Sequence, residues 1–159
     1  MFGLRRRFAP RIQSIGTERA NECALLHAPA FAHPWKEGEF ERLLSDSSIV
    51  ADGAIDNNNN RLIGYVLSRV TLDEAEILTI VVDLGIRRIG IGQQLLNAQI
   101  PKLAARGVKD LFLEVDQSNV PARKLYGSLK FYKVGERKGY YRLLDGTHAN
   151  ALIKKRDLR

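Results

Sequence analysis

The sequence predicts an α/β protein in which a mixed, mostly antiparallel sheet of about seven strands is flanked by about four helices. Two apolar, β-branched runs flank the Asn-rich stretch at residues 56–60. This pattern predicts an antiparallel hairpin, because asparagine tolerates left-handed turn conformations. From residue 75 onward the pattern alternates strand, helix, strand, helix, which is typical of an α/β sheet. The length of 159 residues and the 45% hydrophobic content are those of one compact domain.

The first half of the chain predicts two helices among short strands. A strand at residues 12–15 precedes Thr17, which can cap a helix over residues 18–27. After Pro34, residues 36–44 have the pattern of a second helix. The strands that follow are predicted at residues 48–55, 61–70 and 75–82.

The second half predicts two more helices and three strands. A helix at residues 90–106 carries its apolar residues on one broad face. Pro101 lies inside this helix and cannot donate to the carbonyl of Asn97, so we expect a kink of more than about 20° there. The remaining elements are a strand at 109–115, a helix at 120–129, and closing strands at 131–137 and 149–153.

The most informative local feature is the run ILTIVVDLGIRRIGIG at residues 77–92. An apolar strand leads into a turn that contains Arg87-x-x-Gly90-x-Gly92 and then into a helix. Such a turn suits phosphate, because unpaired N–H groups and the positive end of the helix dipole point at one spot. It is neither a P-loop nor a dinucleotide fingerprint, since both need other residues or spacings. Taken alone, the motif is equally typical of a simple tight turn.

Four further motifs accompany the glycine turn. They are FAHPW at residues 31–35 with Phe40, LEV at 113–115, S-N-x-x-A-x-x-L-Y-x-x-L-x-F at 118–131, and Tyr140-Tyr141. Together these motifs resemble the GNAT superfamily of acetyl-CoA-dependent N-acetyltransferases, and within it the RimI-like ribosomal-protein-alanine N-acetyltransferases. The resemblance covers about residues 12–155. It implies the GNAT fold, acetyl-CoA as cosubstrate and transfer of its acetyl group to an amine.

The resemblance also implies a cofactor site along the strand end and the glycine turn. The backbone N–H groups of Ile80 and Val82 would face the acetyl and pantetheine part, and Asn119 would bond the pantetheine or simply cap its helix. The expected cofactor-binding residues are Ile80, Val81, Val82, Arg87, Arg88, Ile89, Gly90, Ile91, Gly92, Gln93 and Asn119. Ile89 and Gln93 replace polar or basic residues that are common in the family, and Leu84 replaces a frequent proline. These departures favour weaker cofactor contacts.

Acetyl transfer needs a group that takes a proton from the amine, donors to the carbonyl oxygen, and a group that accommodates the thiolate. Glu114 is a charged residue inside the apolar run LFLEV. A buried glutamate is rarely left unpaired, and burial favours its uncharged form. Taken alone, Glu114 is either such a group or a solvent-facing residue at a strand end. The resemblance implies that it is the general base, acting through water.

Tyr126 is the second candidate catalytic residue. If Ser118 or Asn119 caps the helix, Tyr126 lies about two turns into it, roughly 10 Å along the axis. A tyrosine among leucines in a helix is also typical of a core. The resemblance implies a general acid toward the leaving thiolate. Because a phenol has a pKa near 10 and a thiol near 8.5, full proton transfer is uphill by about 2 kcal/mol. We therefore expect at least a hydrogen bond from Tyr126 to the sulfur.

The acceptor is expected to be a protein N-terminus. An α-amine with a pKa near 8 is about one-tenth neutral at pH 7, whereas a lysine amine near 10.4 is neutral in well under one part in a thousand. The resemblance implies the N-terminal alanine of a small-subunit ribosomal protein, held partly by Tyr140 and Tyr141; these tyrosines are also typical of ordinary hairpin packing. Two alternatives stay open: a GNAT enzyme acting on lysine or a small amine, and a basic-tailed RNA- or ribosome-binding module with an inactive GNAT fold.

The net charge of +7 lies in the two ends of the chain. The residues responsible are Arg5, Arg6, Arg7 and Arg11 near the start and Lys154, Lys155, Arg156 and Arg159, against Asp157, near the end. The basic ends favour contact with RNA, a ribosome surface or an acidic partner, or they only keep the protein in solution. We therefore expect a basic segment at residues 1–11, one domain at 12–155 and a basic end at 156–159.

The composition also bears on location and metal binding. No run approaches the roughly 20 apolar residues needed to cross a bilayer, and the basic start is not followed by an apolar signal core. These features predict a cytoplasmic protein without membrane contact. A single cysteine, Cys23, excludes an intrachain disulfide, and the three histidines lack metal-ligand spacing. We therefore expect no bound metal.

Overall fold

A computed structural model describes residues 10–86, 89–142 and 145–159, without the side chains of residues 141 and 142. In this part of the chain, seven strands form one sheet in the order β1-β2-β3-β4-β5-β7-β6, with four α-helices. The strands are β1 (Arg11–Ser14), β2 (Ile49–Ile55), β3 (Leu62–Thr71), β4 (Glu74–Val82), β5 (Asp110–Asp116), β6 (Tyr132–Arg142) and β7 (His148–Asp157). The helices are α1 (Ala20–His27), α2 (Glu37–Leu44), α3 (Ile91–Ala105) and α4 (Val120–Ser128). The α/β fold class is confirmed.

Neighbouring strands are antiparallel except at β4 and β5, which are parallel. The Asn-rich turn closes the β2–β3 hairpin as predicted. Its Asp56 N–H donates to the Arg61 carbonyl at 2.9 Å, and Asn60 has a φ of +57°. The hairpin register follows from this turn, which bonds the end of β2 to the start of β3.

Apolar residues pack on both faces of the sheet. Alternate residues of a strand point to opposite faces, so Val66 packs with α3 and α4 while Leu67 packs with α1 and α2. A buried polar group also joins α3 to the sheet. The Gln99 side chain accepts from the Ser68 hydroxyl and donates to the Asp52 carboxylate, and Lys102 pairs with the same carboxylate.

The structure bears on three local predictions. Thr17 does not cap α1, because a 3₁₀ turn over Thr17–Arg19 precedes the helix and the Gly16 N–H donates to the Glu18 carboxylate at 3.0 Å. The closing strands β6 and β7 are longer than predicted, because they pair with each other beyond the apolar segments that marked them. Helix α3 runs through Pro101 without a break, and the kink expected there stays a prediction.

Candidate functional site

The sheet opens between β4 and β5. In the described residues these strands pair only from Glu74 opposite Asp110 to Glu76 opposite Phe112. Just beyond, the register of β4 against β3 shifts so that Leu78 has no partner on β3. Such a β-bulge bends its strand and increases its twist. The two parallel strands therefore separate toward their carboxyl ends, between residues 77–82 and residues 113–116, and we call this gap the opening.

Backbone donors of β4 point into the opening. The Asp83 N–H donates to the Ile63 carbonyl of β3 at 2.8 Å. Successive N–H groups of a strand alternate in direction, so the N–H of Val81 points toward β3. Those of Ile80 and Val82 then point toward β5. The opening is thus lined by the N–H groups of Ile80 and Val82, the two donors that the family resemblance implied, and their contact with the cofactor stays a prediction.

The N-terminus of α3 lies at the end of the loop that leaves β4. Gly90 precedes the helix with a φ of +83°, and a Cβ there would meet nothing within 4 Å. The first helical hydrogen bond runs from the Gln94 N–H to the Gly90 carbonyl at 3.0 Å. The N–H groups of Ile91, Gly92 and Gln93 therefore come before the helical ladder and carry the positive end of the dipole.

The Leu125 side chain of α4 packs against α3 at Gly92. A Cβ on Gly92 would lie 3.2 Å from the Leu125 Cδ2 atom of α4. Ile89 is half exposed, with 49% of its surface accessible, and Gln93 is exposed. Arg87 and Arg88, which were predicted to contact the cofactor, lie outside the described residues.

Asp83 shapes the loop between β4 and α3. Its Oδ1 atom accepts from the Gly85 N–H at 2.9 Å, and its carbonyl accepts from the Ile86 N–H at 3.1 Å. Its Oδ2 atom pairs with the Arg61 guanidinium at 3.3 Å. The carboxylate therefore fixes the direction in which the chain leaves β4. Sequence reasoning missed this residue, although aspartate followed two residues later by glycine is a known turn signal.

Glu114 lies in β5 at the edge of the opening. Its side chain is 21% exposed, and its Oε1 atom pairs with the Arg137 guanidinium of β6 at 3.0 Å. Both residues line a cavity of about 360 Å³ on the face of the sheet that β5 leaves partly exposed. The cavity is also lined by Arg69, Thr71, Glu74, Ala75, Glu76, Phe112, Leu113 and Ile153. A carboxylate and a guanidinium thus lie together at one cavity, and the carboxylate is the group there that attracts a cation.

Tyr126 and Asn119 belong to α4 on the other face of the sheet. Tyr126 is buried, with 6% of its surface accessible, and its ring packs edge-on against Phe131 at 5.7 Å. Asn119 caps α4, because its Oδ1 atom accepts from the Ala122 N–H at 3.2 Å. Glu114 and Tyr126 therefore lie on opposite faces of the sheet.

Tyr140 lies in β6 beside the Glu114 and Arg137 pair. It is 54% exposed, and the Arg137 guanidinium lies 5.2 Å from its ring centroid. The backbone of Tyr141 pairs with Ala149 of β7, and its side chain lies outside the described part. Arg137 itself was not predicted, because no local pattern shows that β6 reaches Glu114 across β7.

Among the described residues, no group of three or more histidine, cysteine, aspartate or glutamate side chains could hold a metal ion. Within the same ranges, no helix has the length and apolar character to span a membrane. The only cysteine, Cys23, is buried, and burial raises the pKa of its thiol to about 12. The candidate site therefore consists of backbone donors, carboxylates, a guanidinium and phenols.

A sequence model of the acetyltransferase (GNAT) family matches residues 20–131. The chain belongs to the GNAT acetyltransferase family. It is 33% identical over 142 residues to a ribosomal protein bS18-alanine N-acetyltransferase of Haemophilus ducreyi, covering 89% of this chain and 96% of that protein. This GNAT chain also resembles the crystal structure of the ribosomal-protein-S18-alanine N-acetyltransferase from Escherichia coli, with a TM-score of 0.86, 32% identity and 94% of each chain covered.

Other solved structures share the fold at lower identity. Arabidopsis thaliana NAA60 in complex with acetyl-CoA has a TM-score of 0.82 at 21% identity, covering 94% of this chain and 98% of that one. The predicted resemblance and the predicted fold are therefore both confirmed. The RimI-like branch is supported by the names of the relatives with more than 30% identity.

Proposed function

We propose that this GNAT enzyme transfers the acetyl group of acetyl-CoA to the α-amine at a protein N-terminus, and that its acceptor is the N-terminal alanine of a small-subunit ribosomal protein. The observation that carries the proposal is the opening between β4 and β5, with backbone donors on one edge and Glu114 on the other. The acceptor is inferred from relatives that are named for this substrate.

The residues present fit acetyl-CoA. The N–H groups of Ile91, Gly92 and Gln93, together with the loop residues from Arg87 to Gly90, would bind the diphosphate. A larger residue at Gly92 would press on Leu125, so glycine keeps this helix end close to α4. The β4 residues Ile80, Val81 and Val82 would contact the pantetheine arm. The NH₂ group of Asn119 would bond the same arm while its oxygen caps α4.

The cosubstrate supplies the acetyl group as a thioester. Glu114 takes the proton of the acceptor ammonium through a water molecule. The N–H groups of Ile80 and Val82 donate to the carbonyl oxygen as it gains negative charge. Tyr126 donates a hydrogen bond to the sulfur, which stabilises the departing thiolate.

Arg137 is the ion-pair partner of the proposed base, Glu114. Its guanidinium lies 3.0 Å from the Oε1 atom of the Glu114 carboxylate. The water that bridges Glu114 to the acceptor would therefore bind the other carboxylate oxygen, Oε2. Tyr140 and Tyr141 of the same hairpin would contact the first residues of the acceptor.

An α-amine suits this site better than lysine does. A lysine amine is harder to deprotonate at pH 7 by about 3 kcal/mol. A single carboxylate acting through water is a weak base for that task. We therefore expect acetylation of short peptides with Ala, Ser or Met N-termini, with Ala preferred. Acetylation of a peptide with a blocked N-terminus and an internal lysine would instead favour the lysine enzyme.

The test of the catalytic assignment is Glu114→Gln. Removal of a general base lowers kcat by about 10²- to 10⁴-fold. Binding of acetyl-CoA should be kept, measured as the rise in melting temperature that the cosubstrate produces. The matched control is Glu76→Gln, because Glu76 lines the same cavity and is given no role in the reaction. An unchanged kcat in Glu114→Gln would remove Glu114 from the mechanism.

A further inference from the structure

The β6 strand contains an irregular segment next to Arg137. Arg137 lies opposite Ala151 of β7, and Tyr141 lies opposite Ala149. Residues 138–140 therefore face Asn150 alone. Gly139 adopts a φ of +64°, the left-handed region that glycine enters without strain. We call residues 138–140 the β6 bulge.

Asn150 holds the β6 bulge with its side chain. Its Oδ1 atom accepts from the Gly139 N–H at 2.8 Å, and its Nδ2 atom donates to the Glu136 Oε1 atom at 2.6 Å. Its carbonyl accepts from the Gln117 N–H at 2.9 Å, in the loop that joins β5 to α4. One residue of β7 is thus bonded to the segments on both sides of it.

The bulge positions two residues of the site. Arg137 precedes it and pairs with Glu114, whereas Tyr140 ends it and stacks under the same guanidinium. A regular strand in place of the bulge would carry fewer residues opposite β7 and would shift Tyr140 along the hairpin. The position of Tyr140 relative to Glu114 therefore depends on the bulge.

The bonds of Asn150 require an amide rather than a carboxylate. Glu136 accepts hydrogen bonds from the Lys133 ammonium and the Asn150 amide, which lower the pKa of its carboxyl group. Glu136 is therefore an acceptor at neutral pH, and its partner has to donate. The Gly139 N–H needs an acceptor at the same side chain. Asparagine supplies both, whereas aspartate supplies only the acceptor.

We propose that Asn150 is a positioning residue for the acceptor, which holds the β6 bulge so that Arg137 faces the cavity at Glu114 and Tyr140 packs against the Arg137 guanidinium. This proposal rests on the proposed function, since it assigns the bulge to the acceptor rather than to acetyl-CoA. It predicts that loss of the Asn150 side chain weakens acceptor binding selectively.

The first variant is Asn150→Ala. The KM for an N-terminal Ala peptide should rise by about tenfold, the factor that two hydrogen bonds of ordinary strength supply. The KM for acetyl-CoA should stay within about twofold. A variant that is merely less stable would keep both KM values for its folded fraction. A KM for the peptide equal to that of the wild type would overturn the proposal.

A reciprocal exchange provides the sharper test. Asn150→Asp keeps the acceptor for the Gly139 N–H but faces the Glu136 carboxylate, so its KM for the peptide should also rise. Adding Glu136→Gln restores the hydrogen bond between the two side chains, because the glutamine amide at position 136 now donates and the aspartate at position 150 accepts. The double variant should recover most of the wild-type KM. Failure of Glu136→Gln to rescue Asn150→Asp would contradict the assigned bonds.

The matched control lies at the tip of the same hairpin. The Asp145 carboxylate accepts from the N–H and hydroxyl of Thr147. Asp145→Ala therefore removes these two hydrogen bonds of the turn and leaves the bonds of Asn150 to the β6 bulge in place. It should leave both KM values unchanged, and a raised peptide KM in Asp145→Ala would show that any damage to the hairpin has this effect.

Hydrogen exchange at the Gly139 amide separates the two proposals. This exchange should become faster in Asn150→Ala whatever the acceptor is, and unchanged exchange would overturn the role of Asn150. If the wild type acetylates no N-terminal peptide, the proposed function fails instead.

Discussion

At the scale of single residues, the sequence predicted one member of the Glu114–Arg137 ion pair, Glu114, and not the other. Glu114 interrupts an apolar strand, so the sequence marks it as unusual. Its partner comes from β6, which is separated from β5 by β7. A contact across two strand pairings depends on the order of the strands, and no local pattern encodes that order. Arg137 and Asn150 were therefore found only in the structure.

Asp83 gives a prediction for cofactor binding. Its carboxylate accepts from the Gly85 N–H and pairs with Arg61, which fixes the first residues after β4. Asp83→Ala should raise the KM for acetyl-CoA by about fivefold, the effect of one hydrogen bond of ordinary strength, with kcat nearly unchanged. The measurement is steady-state kinetics with the peptide held at saturation.

Asp83→Asn separates the contribution of the hydrogen bond from the Gly85 N–H from that of the ion pair with Arg61. Asparagine keeps the acceptor for the Gly85 N–H and loses the pairing with Arg61, which is an exposed ion pair of little value. Its KM for acetyl-CoA should therefore lie close to that of the wild type. A KM in Asp83→Asn as high as in Asp83→Ala would show that the charge, rather than the turn, matters.

Among the elements, β4 decides the shape of the site. Its apolar pattern predicted a strand that ends at Val82, and the structure confirms this. The bulge at Leu78 was not predictable, because a bulge is a mismatch between two paired strands rather than a property of one. The glycine turn was predictable, since Gly90 takes a φ of +83° that other residues avoid.

Helix α4 contains a glycine, Gly127, whose replacement by alanine should stabilise the protein. A Cβ on Gly127 would meet nothing within 4 Å. Glycine inside a helix costs about 0.5–1 kcal/mol relative to alanine. Gly127→Ala should therefore raise the melting temperature by about 2 °C for a chain of this size.

Gly90→Ala is the contrasting variant. The space around Gly90 is also open, but its left-handed backbone costs an alanine about 1–2 kcal/mol. Gly90→Ala should lower the melting temperature and weaken acetyl-CoA binding. A Gly90→Ala protein as stable as the wild type would mean that the turn relaxes without strain.

At the scale of the whole molecule, we expect the free energy of unfolding to depend on pH because of His27. The ring is 2% exposed and stacks on Phe31 at 4.1 Å and on Trp35 at 5.0 Å. Its Nδ1 atom accepts from the Trp35 N–H at 3.1 Å, which requires that atom to be unprotonated. Burial therefore lowers the pKa of His27 from its usual 6.5.

The sign of the effect follows from proton binding. As the pH falls through 6.5, the unfolded chain protonates at this position while the folded chain does not, so the free energy of unfolding decreases. Melting temperatures measured from pH 7.5 to pH 5.5 should fall in the wild type. His27→Gln should show a smaller fall, with exposed His33→Gln as control. Parallel curves for wild type and His27→Gln would contradict this.

The basic ends are a feature of the whole chain that the structure describes only in part. Residues 1–9 lie outside the described ranges, whereas Lys155 of β7 pairs with Asp110 and Asp157. Arg156 also donates to the Leu129 carbonyl at 3.2 Å, so at least two of the C-terminal cations are used within the fold. Contact of the ends with RNA stays a prediction, tested by the salt dependence of RNA binding.

The sequence by itself determined the fold class, the order of the elements, the glycine turn and the family. These properties depend on residues that are near one another in the chain, where apolar periodicity and turn residues act directly. Only the tertiary structure decided the opening between β4 and β5, the pairing of Glu114 with Arg137 and the bonds of Asn150. These features arise where distant strands meet, and their geometry is set by register and packing across the sheet.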